Sequence, residues 1–163
     1  MSDGMIWALI GAGMSVFLPG IGSSLGIHFA SKAATAILSE KPERYGQFFI
    51  MVVLPGTQGF YGFLAAFMVM LKLNFFGGTG LPAVDFWLGL KVLMACLPVT
   101  FAGLVTAIYQ GKVSSAGILM AGKKPELAFK AGVVFAVMVE IYAILGLLAT
   151  LFMLLFGIKW PTV

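Results

Sequence analysis

The chain is a succession of long apolar segments separated by short polar ones. The apolar segments run from about Met5 to Leu38, Phe48 to Leu73, Phe86 to Met120 and Ala131 to Ile158. An α-helix needs roughly 20 apolar residues to cross the hydrocarbon core of a bilayer, and each segment is longer than that. The pattern therefore predicts an all-α membrane protein with four transmembrane helices.

Two of the three polar connections contain the same short motif. Lys41–Glu43 and Lys124–Glu126 both have the sequence KPE, 83 residues apart. At that spacing Gly20 falls on Gly103, Ser31 on Ser114 and Ala33 on Ala116. The repeat predicts two helical hairpins, residues 1–80 and 81–163, that cross the membrane in the same orientation. Parallel hairpins can be arranged around an axis normal to the membrane.

The first apolar segment is rich in glycine. Gly22, Gly26 and Ala30 are spaced by four residues, and small residues at this spacing let helix backbones approach closely. We expect this helix to pack tightly, as on the crowded inner wall of a ring of subunits.

The basic residues indicate a topology. The two connections that contain KPE carry Lys41, Arg44, Lys123, Lys124 and Lys130, whereas the middle connection carries only Asp85, with Lys72 at its edge. Cytoplasmic loops of membrane proteins are enriched in Lys and Arg. Both basic loops are therefore predicted to be cytoplasmic, and both termini and the middle loop non-cytoplasmic.

Composition excludes several classes of function. The chain is 61% hydrophobic and 10% charged, against about 25% charged residues in soluble domains. Its net charge of +4 is spread over loops and helix ends, so the sequence has no basic stripe for nucleic acid. It also has no paired carboxylates, Ser/His/Asp set or Cys/His cluster, which indicates that the chain is not an enzyme by itself.

Glu140 is the exception within the fourth apolar segment. The segment holds no other charge and is bracketed by Lys130 and Lys159. An ionised carboxylate at the centre of a transmembrane helix costs about 2.5–3.5 kcal/mol on insertion scales. Such a residue needs polar partners or a function.

Three more polar side chains are predicted at the depth of Glu140. Counted from Pro42 or Pro125 in the nearer basic loop, Glu140, Gln110 and Thr57 are 15 residues away and Gln58 is 16. At the rise of an α-helix these positions lie roughly 22–24 Å from the loops. The depths predict one polar layer around Glu140.

The segment LPGTQG adds a backbone feature to this layer. Pro55 has no N–H to give to the Met51 carbonyl, and Gly56 follows, so the helix is predicted to loosen just before Thr57. Helix geometry alone favours the free carbonyl of Met51 as a ligand, but a kink can also redirect the Leu54 carbonyl.

These groups together favour a cation. Tyr61, one turn beyond Thr57, is positioned to donate its hydroxyl to Glu140 and fix the carboxylate. One carboxylate, one hydroxyl, two amide oxygens and a backbone carbonyl form an all-oxygen site for a hard cation. The single negative charge suits a monovalent ion.

Three alternatives to an ion carrier follow from the same residues. Glu140 can be a protonated acid that joins helices by hydrogen bonds. The chain can be a small secondary transporter of the multidrug type that uses Glu140 to couple proton entry to export of a cationic substrate. It can also be a four-helix assembly protein without transport.

Four segments resemble a known family over nearly the whole chain. They are LPGTQGFYGF at Leu54–Phe63, YQGKVSSAGI at Tyr109–Ile118, KKPE at Lys123–Glu126 and VEIYAILG at Val139–Gly146. The chain resembles the rotor-ring proteolipid of V-type ATPases and V-type ATP synthases, the c-type subunit also called subunit K. The resemblance is greatest to the bacterial sodium-translocating form.

The resemblance implies a ligand set. Glu140 would carry the ion, and Thr57, Gln58 and Gln110 would donate side-chain oxygens. Leu54 would supply its backbone carbonyl in preference to Met51, and Tyr61 would hold Glu140 in place. Ile141 follows the glutamate, where the sodium form is associated with a threonine, so H⁺ stays the second candidate ion beside Na⁺.

The resemblance also implies partners and a location. Identical subunits would form a ring in a bacterial plasma membrane, in contact with lipid. A stator membrane subunit would supply an arginine that displaces the ion, because the sole arginine of this chain, Arg44, is in a loop. A central-stalk subunit would connect the ring to the soluble head that hydrolyses ATP.

Overall fold

The computed structural model describes residues 2–78 and 81–161. Its α-helices are α1 (Asp3–Leu38), α2 (Tyr45–Val53), α3 (Thr57–Lys72), α4 (Phe86–Lys123) and α5 (Val134–Phe156). A 3-10 turn at Pro42–Arg44 begins α2, another at Leu54–Gly56 joins α2 to α3, and a π-helical segment at Ala128–Val133 leads into α5. Within the described ranges no residue is in a β-strand, which confirms the all-α prediction.

Four of these helical segments are long and apolar enough to cross a membrane. Over the part of the chain that is described, they are Asp3–Leu38, Pro42–Lys72, Phe86–Lys123 and Ala128–Phe156. The second and fourth begin several residues before the apolar segments predicted from the sequence. The second span begins at Pro42 because proline fits the first turn of a helix, where its missing N–H is not needed. We call the first two spans the first helix pair and the last two the second helix pair.

The core of the bundle is the contact between α1 and α4, which run parallel. A Cβ atom added at Gly22 would lie 2.5 Å from the Leu104 carbonyl oxygen, and one at Gly26 would lie 2.3 Å from that of Ala107. Only glycine allows the two backbones to come this close. The tight packing predicted from the glycine spacing is therefore confirmed within the chain.

Two buried apolar clusters fill the ends of the bundle. One includes Leu73, Val92 and Leu154 near the termini, and the other includes Phe48 and Ile118 near the basic loops. Buried polar side chains lie along the bundle between these clusters: Ser15, Ser23, Gln58, Thr100, Gln110 and Glu140. Apolar clusters at both ends thus enclose a polar middle layer.

Side chains of the first basic loop bind the second one. Arg44 Nη1 donates to the carbonyl oxygens of Ala121 and Gly122, both at 3.2 Å. Gln47 Nε2 donates to the Pro125 carbonyl at 2.9 Å. Because both loops lie at one end of the bundle, the two helix pairs point in the same direction.

Candidate ion-binding site

Glu140 lies on α5 and points into the bundle, where only 7% of its surface is exposed. Its Oε1 atom accepts hydrogen bonds from the Thr57 hydroxyl at 2.7 Å and from the Tyr61 hydroxyl. Its Oε2 atom accepts from Gln110 Nε2 at 2.6 Å and from Gln58 Nε2 at 3.3 Å. The four donors come from α3 and α4, so the carboxylate is held by groups from both helix pairs.

The two glutamines form a second layer of bonds. Gln58 Nε2 also donates to Gln110 Oε1 at 2.6 Å, and Gln110 Nε2 also donates to the Ala136 carbonyl at 3.0 Å. Both glutamine side chains are fully buried. Buried polar groups persist when every member is hydrogen-bonded, as these are.

The 3-10 turn at Leu54–Gly56 adds a backbone oxygen to the site. The Leu54 carbonyl accepts from the backbone N–H of Thr57 and lies 2.9 Å from the Thr57 hydroxyl oxygen. The structure therefore places the Leu54 carbonyl, one of the two candidates from the sequence, beside the Thr57 hydroxyl.

Oxygen atoms are crowded around the Thr57 hydroxyl. Leu54 O, Gln58 Oε1 and Glu140 Oε1 lie 2.9, 3.4 and 2.7 Å from Thr57 Oγ1. A hydroxyl has one proton and can donate it to one of these acceptors at a time. Several oxygens around one hydroxyl, one of them from a carboxylate, form the kind of donor set that attracts a small hard cation.

The partners of Glu140 are all uncharged. Two hydroxyls and two amides contact its carboxylate, whereas Arg44 binds backbone carbonyls at the end of α4. The described residues that contact Glu140 therefore supply no cation to balance a negative charge on its carboxylate.

Two contacts of the site were absent from the sequence prediction. The Ala136 carbonyl accepts from Gln110, and Ser23 Oγ accepts from the Gly59 backbone N–H at 3.0 Å. Ala136 lies one turn before Glu140 on the same side of α5, a spacing that the sequence offered as a signal. Ser23 is on α1, and its contact with Gly59 depends on tertiary packing alone.

Comparison with known proteins gives two relatives and one family. A V-type sodium ATPase subunit K from Enterococcus hirae is 43% identical over 154 residues, covering 94% of both chains. An A-type ATP synthase subunit K from Methanocaldococcus jannaschii is 33% identical over 94% of this chain and 64% of its own length.

The sequence pattern of the family of ATP synthase C subunits matches residues 10–69 and again residues 93–153. The two matches begin 83 residues apart, at residues 10 and 93. Together they cover most of the chain. The protein therefore belongs to the family of ATP synthase C subunits, as a ring-forming membrane component and not the catalytic one.

Proposed function

We propose that this protein is a rotor-ring subunit that carries Na⁺ on Glu140, with H⁺ as the second candidate ion. The observation that carries the proposal is the set of oxygens around the Thr57 hydroxyl, which includes the Glu140 carboxylate. The name of the Enterococcus relative, a sodium ATPase subunit, supports Na⁺ as the ion.

Five residues would coordinate the ion: Leu54, Thr57, Gln58, Gln110 and Glu140. Leu54 would use its carbonyl, Thr57 its hydroxyl and Glu140 its carboxylate. A half-turn of a glutamine amide exchanges its nitrogen for its oxygen in the same place, so Gln58 and Gln110 can present oxygens to a cation. Tyr61 would keep its hydrogen bond to Glu140 and act as a positioning residue.

Ion binding would allow the ring to turn. Glu140 lies on α5, whose neighbouring residues Ile141 and Leu145 are exposed and apolar, as a surface in contact with lipid requires. A bare carboxylate is costly to move through hydrocarbon, whereas a carboxylate paired with Na⁺ or H⁺ has no net charge. A loaded copy of the chain could therefore pass through lipid, and an unloaded one could not.

Release of the ion would need other chains. The only arginine of this sequence is engaged at the basic loops, far along the helices from Glu140. A stator membrane subunit would bring the displacing arginine, and a central-stalk subunit would transmit rotation to the ATP-hydrolysing head.

The repeat and topology predicted from the sequence complete the proposal. The chain would consist of two parallel hairpins, 1–80 and 81–163, in a bacterial plasma membrane, with both termini non-cytoplasmic. The double match of the family supports the repeat. A ring in which each four-helix chain carries one acid would move fewer ions per turn than a ring of single hairpins that each carry an acid.

Carbodiimide modification tests the ion directly. The reagent reacts with protonated carboxyls, so bound Na⁺ should slow the labelling of Glu140 in the purified ring at fixed pH. Potassium or choline chloride at the same ionic strength is the control and should have little effect. Gln110→Ala should weaken the protection by Na⁺.

The outcomes separate the candidates. Labelling that ignores Na⁺ but falls with rising pH would overturn Na⁺ in favour of H⁺. Family membership disfavours the secondary-transporter alternative, which predicts ion-coupled export by the purified chain alone. A fully folded protein that stays monomeric in mild detergent would contradict the rotor proposal.

A further inference from the structure

Two aromatic side chains protrude from the same side of α5. Phe135 and Tyr142 are 56% and 66% exposed. They are separated by seven residues, about two helical turns, and so lie on one stripe. Met153, about three turns beyond Tyr142, continues the stripe and lines a groove between α4 and α5 with Lys91. The aromatic stripe, Phe135 and Tyr142, therefore faces away from α3.

The first helix pair has two recesses on its opposite flank. The glycine recess, of about 410 Å³, is lined by Gly56, Gly59, Phe60 and Phe63. A Cβ atom added at Gly59 would lie 3.4 Å from Ser23 Oγ of α1, so this recess opens on the α1 side of α3, away from α5. The α2 recess, of about 210 Å³, lies between α1 and α2 and includes Phe48 and Val52.

The stripe and the recesses are at matching heights. Thr57 and Glu140 are in contact and are 83 residues apart, so positions with this spacing lie level in the bundle. Gly59 and Tyr142 are each two residues beyond that contact. Val52 and Phe135 are each five residues before it. Tyr142 and Phe135 are therefore separated along α5 by the same number of residues that separates Gly59 of the glycine recess from Val52 of the α2 recess.

Charges at the terminal end of the bundle are also complementary. Lys91 and Lys159 are exposed beside the groove on the flank of the second helix pair. Asp3 is exposed at the start of α1, in the first helix pair. The carboxylate of Asp85, near the lysines, already accepts a hydrogen bond from the Leu88 N–H at 2.8 Å.

We propose that the aromatic stripe of one subunit docks into the two recesses of the next copy of this chain. Tyr142 enters the glycine recess and Phe135 the α2 recess, while Lys91 and Lys159 face Asp3 of the neighbour. This is a heterologous contact, which closes into a ring when the rotation between copies divides a full turn. Burial of two large aromatic side chains supplies the apolar core of the interface.

The inference deepens the proposed function, because it names the surfaces by which the ring assembles. It also places the next subunit against α3 at the level of Gln58. The ion site of one subunit would then border the Tyr142 side chain of its neighbour.

Cysteine cross-linking of the assembled ring tests the contact. In a Cys96→Ala background, which removes the only native cysteine, the pair Tyr142→Cys and Gly59→Cys is treated with a short bismaleimide. The matched control is Ile141→Cys with Gly59→Cys. Ile141 is at the same height and 51% exposed, but it is turned by about 100° around α5 toward lipid.

The Tyr142 pair should give a ladder of dimers, trimers and larger species in denaturing gels, and the Ile141 pair several-fold less. Equal cross-linking of both pairs would overturn the proposed contact. So would the absence of cross-linking in a ring whose cysteines are accessible, as shown by their reaction with a monomaleimide. Gly59→Leu should fill the recess and make the ring dissociate at a lower detergent concentration. Tyr142→Ala should partly restore the ring in that variant.

Native mass spectrometry separates this inference from the proposed function. A ring that forms but cross-links through the Ile141 pair contradicts the docking surface alone. A chain that is folded and never assembles contradicts the rotor function itself.

Discussion

The two helix pairs share one architecture but carry different chemistry at equivalent positions. Thr57 and Glu140 are 83 residues apart in the sequence, yet their oxygens lie 2.7 Å apart in the structure. One pair contributes a neutral hydroxyl and the other a carboxylate. The comparison shows that the two helix pairs divide one polar cluster between them, the second supplying the carboxylate and the first most of its hydrogen-bond donors.

Glu140→Gln should produce the largest effect, because it removes the only charge of the site. We expect ATP-driven Na⁺ uptake by vesicles containing the assembled complex to fall to background, and carbodiimide labelling at position 140 to disappear. Thr57→Ala, at the equivalent position of the first helix pair, is the matched control and should retain measurable uptake. Transport by the Glu140→Gln complex near the normal rate would refute the role of this residue.

The two glutamines allow a finer comparison between the helix pairs. Gln110 Nε2 lies 2.6 Å from the carboxylate and Gln58 Nε2 lies 3.3 Å from it. Gln110 would present its amide oxygen to the ion, so Gln110→Ala removes a ligand and should weaken Na⁺ protection by roughly tenfold, which corresponds to about 1.4 kcal/mol. Gln58→Ala should have a smaller effect. The reverse order in a Na⁺ titration of carbodiimide labelling would contradict the geometry.

Tyr61→Phe isolates the positioning role of one hydroxyl. The ring of the side chain is kept, and the bond to Glu140 Oε1 is lost. We expect Na⁺ affinity to fall by roughly tenfold, which corresponds to about 1.4 kcal/mol of binding free energy. The ring should still assemble normally in native mass spectra. An unchanged affinity would show that Tyr61 does not hold the carboxylate.

Thr57→Ser should produce the smallest effect. Serine keeps the hydroxyl that contacts Leu54 and Glu140 and loses one methyl group, so Na⁺ protection should change only slightly. Thr57→Val has nearly the shape of threonine without the hydroxyl and should weaken protection clearly more. Equal behaviour of the two variants would mean that packing, and not the hydroxyl oxygen, is the contribution of Thr57.

The spans, the repeat motif and the depth of Glu140 were all accessible from the sequence. Height along a helix follows from a fixed rise per residue, so counting from Pro42 and Pro125 placed Thr57, Gln110 and Glu140 in one layer. The structure brings these side chains together. Their role as ion ligands stays a prediction.

The choice of backbone carbonyl shows what counting along the helix leaves open. The missing N–H of Pro55 favoured the Met51 carbonyl, but the chain forms a 3-10 turn at Leu54–Gly56. A 3-10 turn has three residues per turn and i→i+3 hydrogen bonds, so the Leu54 carbonyl accepts from the Thr57 backbone N–H. The Leu54 carbonyl lies beside the Thr57 hydroxyl, and its role as an ion ligand stays a prediction.

The sequence by itself determined that this protein has four membrane-crossing helices, one buried acid and a polar layer at its level, because length and height are local properties of a hydrogen-bonded helix. Tertiary structure decided which way each side chain points. Rotation around the helix axis depends on the 3-10 and π-helical segments and on the close glycine contacts between α1 and α4. These features together decide that Tyr142 points outward, a direction that the sequence did not predict.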